Sequence, residues 1–185
     1  MSFLLGSDGK ISVLRVSLLA IAVGGLFIVG AIISIQIDVA SRRAPLDIEV
    51  YPGATPWGEQ SRGRSQRSLY FQIPDTEPEV VVEYYQQKLN EFYGTTPENE
   101  RGKPLSQQIP NAECVRLPRE GNFSDYEPGN GLPAYQYTCI FDRSYSDILQ
   151  VTEVIIQPGV RNDSDPNATN TEGMTVVEYR QQWEP

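Results

Sequence analysis

The feature that most constrains this chain is a nearly unbroken apolar segment near its amino terminus, residues 11–37. Between Arg15 and Gln36, twenty consecutive residues carry only two polar side chains, those of Ser17 and Ser34. At the rise of ~1.5 Å per residue of a helix, twenty residues extend ~30 Å, which is the hydrocarbon thickness of a bilayer. The segment therefore predicts a transmembrane helix.

A cleaved signal peptide is the alternative interpretation of this segment. Signal peptides have an apolar region of about 7–15 residues, followed by a cleavage site of the small-x-small type. Here the apolar run is longer, and the residues after it, 38–41, read Asp-Val-Ala-Ser, a poor cleavage site. We therefore predict an uncleaved signal anchor. The predicted parts are a cytoplasmic arm (1–10), a membrane-spanning helix (11–37), a connector (38–45) and one globular domain (46–185).

Basic residues stand near both ends of the apolar segment, so the positive-inside rule does not predict its orientation. The orientation is predicted instead from the two cysteines. Cys114 and Cys139 are too few for a four-thiolate metal site and too distant in sequence for a CxxC redox pair. A disulfide is the favoured interpretation, with two unrelated buried thiols as the alternative. Since disulfides persist outside the reducing cytosol, we expect the domain to be extracytoplasmic.

Small residues within the apolar segment suggest a helix-docking surface. Ala20 and Gly24 have the small-xxx-small spacing that lets two helices approach closely, and Gly25 follows directly. The alternative is that lipid surrounds the helix on all sides. The expected partners are thus the bilayer and other integral membrane subunits.

The charge of the chain argues against nucleic-acid binding, because the formal net charge is −9. Residues 1–37 hold only one acid and two bases, so the remainder carries 23 acidic against 13 basic residues. Five arginines fall within the third of the chain nearest the span, at positions 42, 43, 62, 64 and 67. They form either a basic collar near lipid phosphates or solvated loop side chains.

The chain contains no histidine, which excludes serine–histidine and cysteine–histidine catalysis and imidazole metal sites. No spacing of Asp or Glu forces two carboxyl groups together, so we predict no enzymatic activity and no cofactor. A weak calcium candidate is formed by Asp163, Asp165 and Asn167, at positions 1, 3 and 5 of a calcium-loop template. The template then fails at Ala168 and Met174, and a solvated turn is the alternative.

Beyond the span, the sequence predicts an α+β fold with a small antiparallel sheet and one packed helix. Alternation and apolar runs predict strands at 46–51, 68–73, 112–117, 134–141, 147–157 and 175–180. The second of these is expected to pair with the first, and the run 147–157 to lie centrally in the sheet.

The predicted helix begins after a capping box formed by Thr76 and Glu79 and ends at Gly94. Its apolar stripe consists of Val82, Tyr85, Leu89 and Phe92. Tyr84, Tyr85 and Tyr93 on this helix are expected to be core residues, with a ligand-stacking platform as the alternative.

The run 50–94 contains Tyr-Pro-Gly-Ala at 51–54 and then a helix of the form D-x-x-x-E-x-V…Y-x-x-x-L…G, which starts at Asp75. This pattern resembles bacterial membrane-anchored envelope modules that carry a "YPGA" turn before a strand and a helix. The resemblance implies a bacterial source, an extracytoplasmic location and a small α+β fold, and it implies no activity.

These observations lead to two hypotheses of function. The first is a single-pass, non-catalytic accessory subunit of a complex in the bacterial inner membrane, of the respiratory or photosynthetic kind. The second is a membrane-anchored envelope module that binds or senses a small ligand, a glycan or a cell-wall component.

Overall fold

The structure is a computed structural model that describes residues 13–58, 60–126, 132–161 and 170–185. The chain divides into two compact units, Met1–Ser41 and Arg42–Pro185.

The first unit contains helix α1, Val13–Arg42, whose apolar side chains are exposed. A helix that is apolar all round needs an apolar environment such as a bilayer or a protein core. Protein covers none of the described apolar stretch, and the helix is long and apolar enough to cross a membrane, as predicted. A signal sequence near the amino terminus shares both properties.

Helix α1 ends later than predicted, because it continues past residue 37 to Arg42 and takes up most of the expected connector. Residues 38–41 contain no helix breaker, and the Ser41 hydroxyl donates to the carbonyl oxygen of Asp38 at 2.7 Å, one turn earlier. The helix ends just before Ala44, whose helical conformation is disfavoured by the following Pro45.

The second unit is an α+β domain with a seven-stranded antiparallel sheet. Along the sheet the strand order is β1-β3-β7-β6-β5-β4, and β2 also pairs with β3. The strands are β1 (Thr55–Pro56), β2 (Ser61–Arg62), β3 (Gln66–Pro74), β4 (Val115–Leu117), β5 (Gln136–Asp142), β6 (Gln150–Pro158) and β7 (Met174–Trp183). The predicted α+β class and antiparallel sheet are confirmed, and the run 147–157 supplies most of β6, which is central in the sheet as predicted.

Helix α2, Pro78–Tyr93, is the helix that packs on the sheet. Proline in its first turn and Gly94 at its end act as predicted, since Gly94 has φ 65° and its N–H bonds back to the carbonyl of Asn90. Shorter helical turns lie between α2 and β5, namely α3 (Pro97–Arg101), a 3-10 turn (Leu105–Gln107) and α4 (Phe123–Tyr126).

The predicted capping box is wrong. The residue that precedes the helix is Glu77, which makes no side-chain capping bond, and the Thr76 hydroxyl donates to the Pro74 carbonyl at 3.0 Å. Tyr85 and Leu89 are buried as predicted, but the third fully buried position of the stripe is Val81, one residue earlier than expected. Because Val81, Tyr85 and Leu89 are four residues apart, they lie along one face of the helix.

The core lies between α2 and one face of the sheet. Its buried members are Ile73, Val81, Tyr85, Leu89, Cys139, Phe141, Val154, Ile156, Val177 and Tyr179. On the same face the core also contacts an extended segment, residues 44–51, which we name the strap.

The strap is the segment in which the prediction of a strand at 46–51 is wrong. Leu46, Ile48 and Val50 do pack towards the core while the acidic residues between them point outwards, so the alternation was real. The strap makes no strand ladder, however, and β3, its expected partner, pairs with β7, β1 and β2 instead.

Candidate functional site

The strap is held by side chains that rise from the inner face of the sheet. The Leu46 carbonyl accepts hydrogen bonds from the Thr152 hydroxyl, at 2.6 Å, and from the Gln181 side-chain amide, at 2.5 Å. The Gln150 side-chain amide donates to the Ala44 carbonyl at 2.8 Å. These three sheet side chains are buried. Their polar groups bind strap carbonyls that would otherwise have no backbone partner, because the strap is not paired in a strand ladder.

Two buried tyrosine hydroxyls continue this support. The Tyr51 N–H donates to the Tyr85 hydroxyl at 3.0 Å, the two hydroxyls of Tyr85 and Tyr179 lie 2.5 Å apart, and the Tyr179 hydroxyl donates to the Glu49 carbonyl at 3.3 Å. Because an N–H can only donate and a carbonyl can only accept, Tyr85 must donate to Tyr179 for every proton to find an acceptor. The resulting chain of bonds, the tyrosine relay, begins and ends on the strap.

Burial keeps both relay phenols protonated. It raises the pKa of Tyr85 to about 12, and the hydrogen bonds that Tyr85 makes with Tyr179 and with the Tyr51 backbone partly offset the rise. Burial also raises the pKa of Tyr179, and the neighbouring Tyr85 adds to the effect. At neutral pH the relay therefore consists of two neutral hydroxyls.

Ion pairs fix the outward side of the strap. Glu49 contacts the Lys88 ammonium of α2 at 2.7 Å, and Asp47 pairs with the Arg67 guanidinium of β3. The hydrogen bond from Lys88 lowers the pKa of the Glu49 carboxyl, and the same bond raises the pKa of the Lys88 ammonium. The strap is thus joined to helix α2 and to the sheet at once.

The expectation of core tyrosines holds for all three candidates on α2. Tyr85 is fully buried in the relay, and the Tyr93 hydroxyl donates to the Ile140 carbonyl at 3.1 Å and accepts from the Asp142 N–H. The Tyr84 ring packs edge-on against Tyr85, with centroids 5.1 Å apart. These rings contact protein rather than forming an open stacking platform.

The predicted disulfide is present. Cys114 and Cys139 are bonded, with Cα atoms 4.2 Å apart. The register of β4 and β5 places the two residues directly opposite each other, one position beyond the last paired residue, Val115. The bond ties the short edge strand β4 to the buried Cys139, and a disulfide indicates an oxidising compartment.

Helix α1 presents the small residues that the sequence suggested as a docking surface. A side chain added at Gly24 or at Gly25 would meet nothing within 4 Å. At about 100° of rotation per residue, Ala20 and Gly24 lie about 40° apart around the helix, whereas Gly25 lies about 140° from Ala20. The structure therefore places Ala20 and Gly24 on one face and Gly25 to its side.

Comparison with protein-family models, curated proteins and solved structures finds no match for this chain.

The predicted calcium candidates Asp163, Asp165 and Asn167 lie outside the described residues. Within the described ranges, no group of three or more Asp, Glu, Cys or His side chains is placed to hold a metal ion.

A cleft of about 480 Å³, lined by both apolar and charged residues, opens between α3 and the start of β4. Its wall includes the ion pair of Arg101 with Glu113, at 2.9 Å, and the buried carboxyl of Glu100. Hydrogen bonds from Lys103 and from the Ile109 backbone lower the pKa of Glu100. Sequence periodicity does not indicate this cleft, because its walls come from a polar segment without a regular apolar pattern.

The side chains that bind the strap were not predicted from the sequence. Gln150 and Thr152 are in phase with the inward-facing Val154 and Ile156, and Gln181 is in phase with Tyr179. A polar residue at an inward position of a central strand is the signal that could have revealed them, because buried polar groups need partners.

Proposed function

We propose that this protein is a single-pass, non-catalytic accessory subunit of a complex in the bacterial inner membrane. Helix α1 anchors it there, with its amino terminus cytoplasmic and its domain extracytoplasmic, and the face of α1 that carries Ala20 and Gly24 docks against a helix of a neighbouring subunit. The proposal covers complexes of the respiratory or photosynthetic kind.

The observation that carries the proposal is the open space over Gly24 in an otherwise apolar and exposed helix. In lipid, helix association depends on close packing, and a position without a side chain lets a second backbone approach. A tether needs only length and hydrophobicity, whereas a docking helix needs such a position.

A structural role is also supported by the domain, because its buried polar side chains bind the protein's own backbone. Thr152, Gln181 and the two relay tyrosines all bind the backbone of the strap, which is the stretch of domain nearest in sequence to α1. Such an arrangement holds the first residues of the domain against the domain's own core. The disulfide supports an extracytoplasmic location.

The proposal is tested by extracting the protein from its native membrane with a mild detergent, followed by native electrophoresis. We expect migration in a large assembly with co-purifying membrane subunits. Migration as a lone chain of 20.7 kDa would contradict the proposal.

The docking face is tested by Gly24→Leu, which fills the space that a neighbouring helix would occupy. We expect this variant to lose its co-purifying subunits while its disulfide and thermal unfolding stay unchanged. Ala22→Leu is the matched control, because Ala22 lies about 160° from Gly24 around the helix. Equal loss in both variants, or in neither, would contradict docking through this face.

The cleft beside α3 favours a second candidate function, an envelope module that binds a small ligand. Its lining places the charged groups of Glu100, Arg101 and Glu113 beside apolar surface, which suits a small molecule that has both polar and apolar parts. A panel of sugars and cell-wall fragments should then raise the unfolding temperature of the wild type but not of Glu113→Gln. A panel without any shift would reject this candidate.

A further inference from the structure

The turn that joins β2 to β3 brings cationic side chains together at one end of the sheet. Residues 61–68, named here the arginine hairpin, pair Ser61 with Ser68 and Arg62 with Arg67, and the Gly63 N–H closes the turn on the Gln66 carbonyl. Arg67 forms an ion pair with Asp47 of the strap, so its charge is already paired within the domain.

The other two arginines of the hairpin, Arg62 and Arg64, point into solvent. The Arg62 guanidinium bonds only to the neutral side chain of Gln60, at 3.2 Å, and Arg64 has no bonding partner within the described residues. Both charges are therefore available to an anion.

The arginine hairpin lies at the end of the sheet where the chain enters the domain. The Ser65 carbonyl accepts from the Trp183 N–H at 3.0 Å, Trp183 is opposite Gln150 in the sheet, and Gln150 binds the Ala44 carbonyl. These contacts lead from the hairpin across β7 to β6, which is a distance of two strand spacings, or about 10 Å. Ala44 is two residues beyond Arg42, the last residue of α1, and at most ~3.6 Å of chain per residue separates them.

Aromatic residues accompany the cations at this end. Trp183 is half-buried beside the hairpin, and Tyr145, in the loop between β5 and β6, is 67% exposed. Tryptophan and tyrosine are enriched where proteins meet the interface of a bilayer.

The positive charge is local. From Ser68 onward the chain has 8 basic and 19 acidic residues, and three of the acids, Asp142, Asp147 and Glu184, lie at the same end of the sheet as the hairpin. At the opposite end, Asp75, Glu77 and Glu172 flank the turns. Within this acidic domain, Arg62 and Arg64 stand out because no acidic partner binds them among the described residues.

We propose that the arginine hairpin docks on anionic phospholipid headgroups of the membrane that holds α1, through Arg62 and Arg64. This inference rests on the anchoring part of the proposed function. Of the two interpretations left open by the sequence, the inference favours binding to lipid phosphates for Arg62 and Arg64, rather than solvated loop side chains.

Each arginine near an anionic bilayer surface strengthens attraction by about fivefold in the equilibrium constant, so two supply roughly 25-fold. The attraction fades in high salt, because the screening length falls from about 10 Å at 0.1 M to about 3 Å at 1 M.

The test uses the full chain reconstituted into vesicles of zwitterionic lipid, with or without anionic phosphatidylglycerol. A nitroxide is attached at Ser65→Cys in the hairpin or at Glu77→Cys at the opposite end, and its exposure to a water-soluble relaxation agent is measured. We expect the Ser65 label to be protected only in anionic vesicles at low salt, and the Glu77 label to be exposed in all of them.

Neutralising the hairpin with Arg62→Gln and Arg64→Gln should abolish the protection. Arg101→Gln with Arg119→Gln is the matched control, because it removes the same charge elsewhere on the domain and should leave the protection intact. Equal exposure of the Ser65 label with and without anionic lipid, or equal effects of the two charge variants, would overturn the inference.

Alkaline carbonate extraction of the same vesicles separates this failure from failure of the anchor. If carbonate leaves the protein in the membrane while the label stays exposed, docking alone is overturned. If carbonate releases the protein, the anchor is refuted, and the docking that rests on it is refuted too.

Discussion

The tyrosine relay makes a quantitative prediction, because its two hydroxyls should act as one unit. Tyr85→Phe removes the acceptor of the Tyr51 N–H and leaves that one group without a partner. Tyr179→Phe leaves two groups without partners, the Tyr85 hydroxyl proton and the Glu49 carbonyl. A buried polar group without a partner costs about 1–3 kcal/mol.

The double variant should therefore cost less than the two single variants together. It leaves only the Tyr51 N–H and the Glu49 carbonyl without partners, since both hydroxyls are gone. The single variants leave three such groups between them, so the difference is one group, or about 1–3 kcal/mol of coupling. At about 2–4 °C per kcal/mol, Tyr85→Phe alone should lower the unfolding temperature by roughly 2–12 °C.

The assay is thermal and denaturant unfolding of the full chain in detergent, followed by near-ultraviolet circular dichroism. Tyr145→Phe is the control, because its ring is 67% exposed and the change should stay within about 0.5 kcal/mol. Additive costs for Tyr85→Phe and Tyr179→Phe would refute the relay, since independent hydroxyls would show no coupling.

Three further predictions follow from the domain. The relay phenols titrate near pH 10 when unfolded and higher when folded, so their contribution to stability is constant below pH 10 and is lost above it, by up to about 2.7 kcal/mol per pH unit for two groups; a flat unfolding midpoint from pH 10 to 12 would contradict this. Replacing Cys114 and Cys139 together by alanine should cost about 3.5 kcal/mol of unfolding free energy, from the loop that the bond closes; a loss below about 1 kcal/mol in a denaturant titration would count against it. Gly159→Ala should cost about 3 kcal/mol or more in unfolding free energy, because the new methyl carbon would lie 1.7 Å from the Thr171 carbonyl oxygen, whereas Gly102→Ala, with open space around it, should be nearly neutral in the same assay.

Sequence periodicity predicted the parts of the fold that follow from burial of apolar side chains. Alternation and apolar runs identified strands β3 to β7, and the end of α2 followed from the conformational freedom of Gly94, which has φ 65°. The capping box was wrong because Thr76 bonds backwards to Pro74 rather than forwards into the helix. Residue types at the correct spacing do not determine which backbone group the threonine hydroxyl binds.

The length of β7 shows where periodicity failed. The predicted strand ended at residue 180, but β7 runs from Met174 to Trp183. The prediction stopped early because Gln181, a polar residue, occupies an inward position where an apolar side chain is expected. Gln181 is buried there because it binds the Leu46 carbonyl, a partner more than a hundred residues away in sequence.

The two errors, a false strand at 46–51 and a shortened β7, have one physical cause. A segment that alternates apolar and polar residues can be extended either as a strand or as a strap, and only the source of its backbone partners distinguishes them. Here the partners are Thr152 and Gln181, which are polar where neighbouring strand positions are apolar, together with the relay tyrosines. An inward polar side chain on a central strand thus indicates that a non-strand segment crosses above it. Because that segment starts at Ala44, two residues after α1, the domain needs the chain next to the anchor to complete its own core, and a soluble fragment has to begin before Ala44 to keep these groups paired.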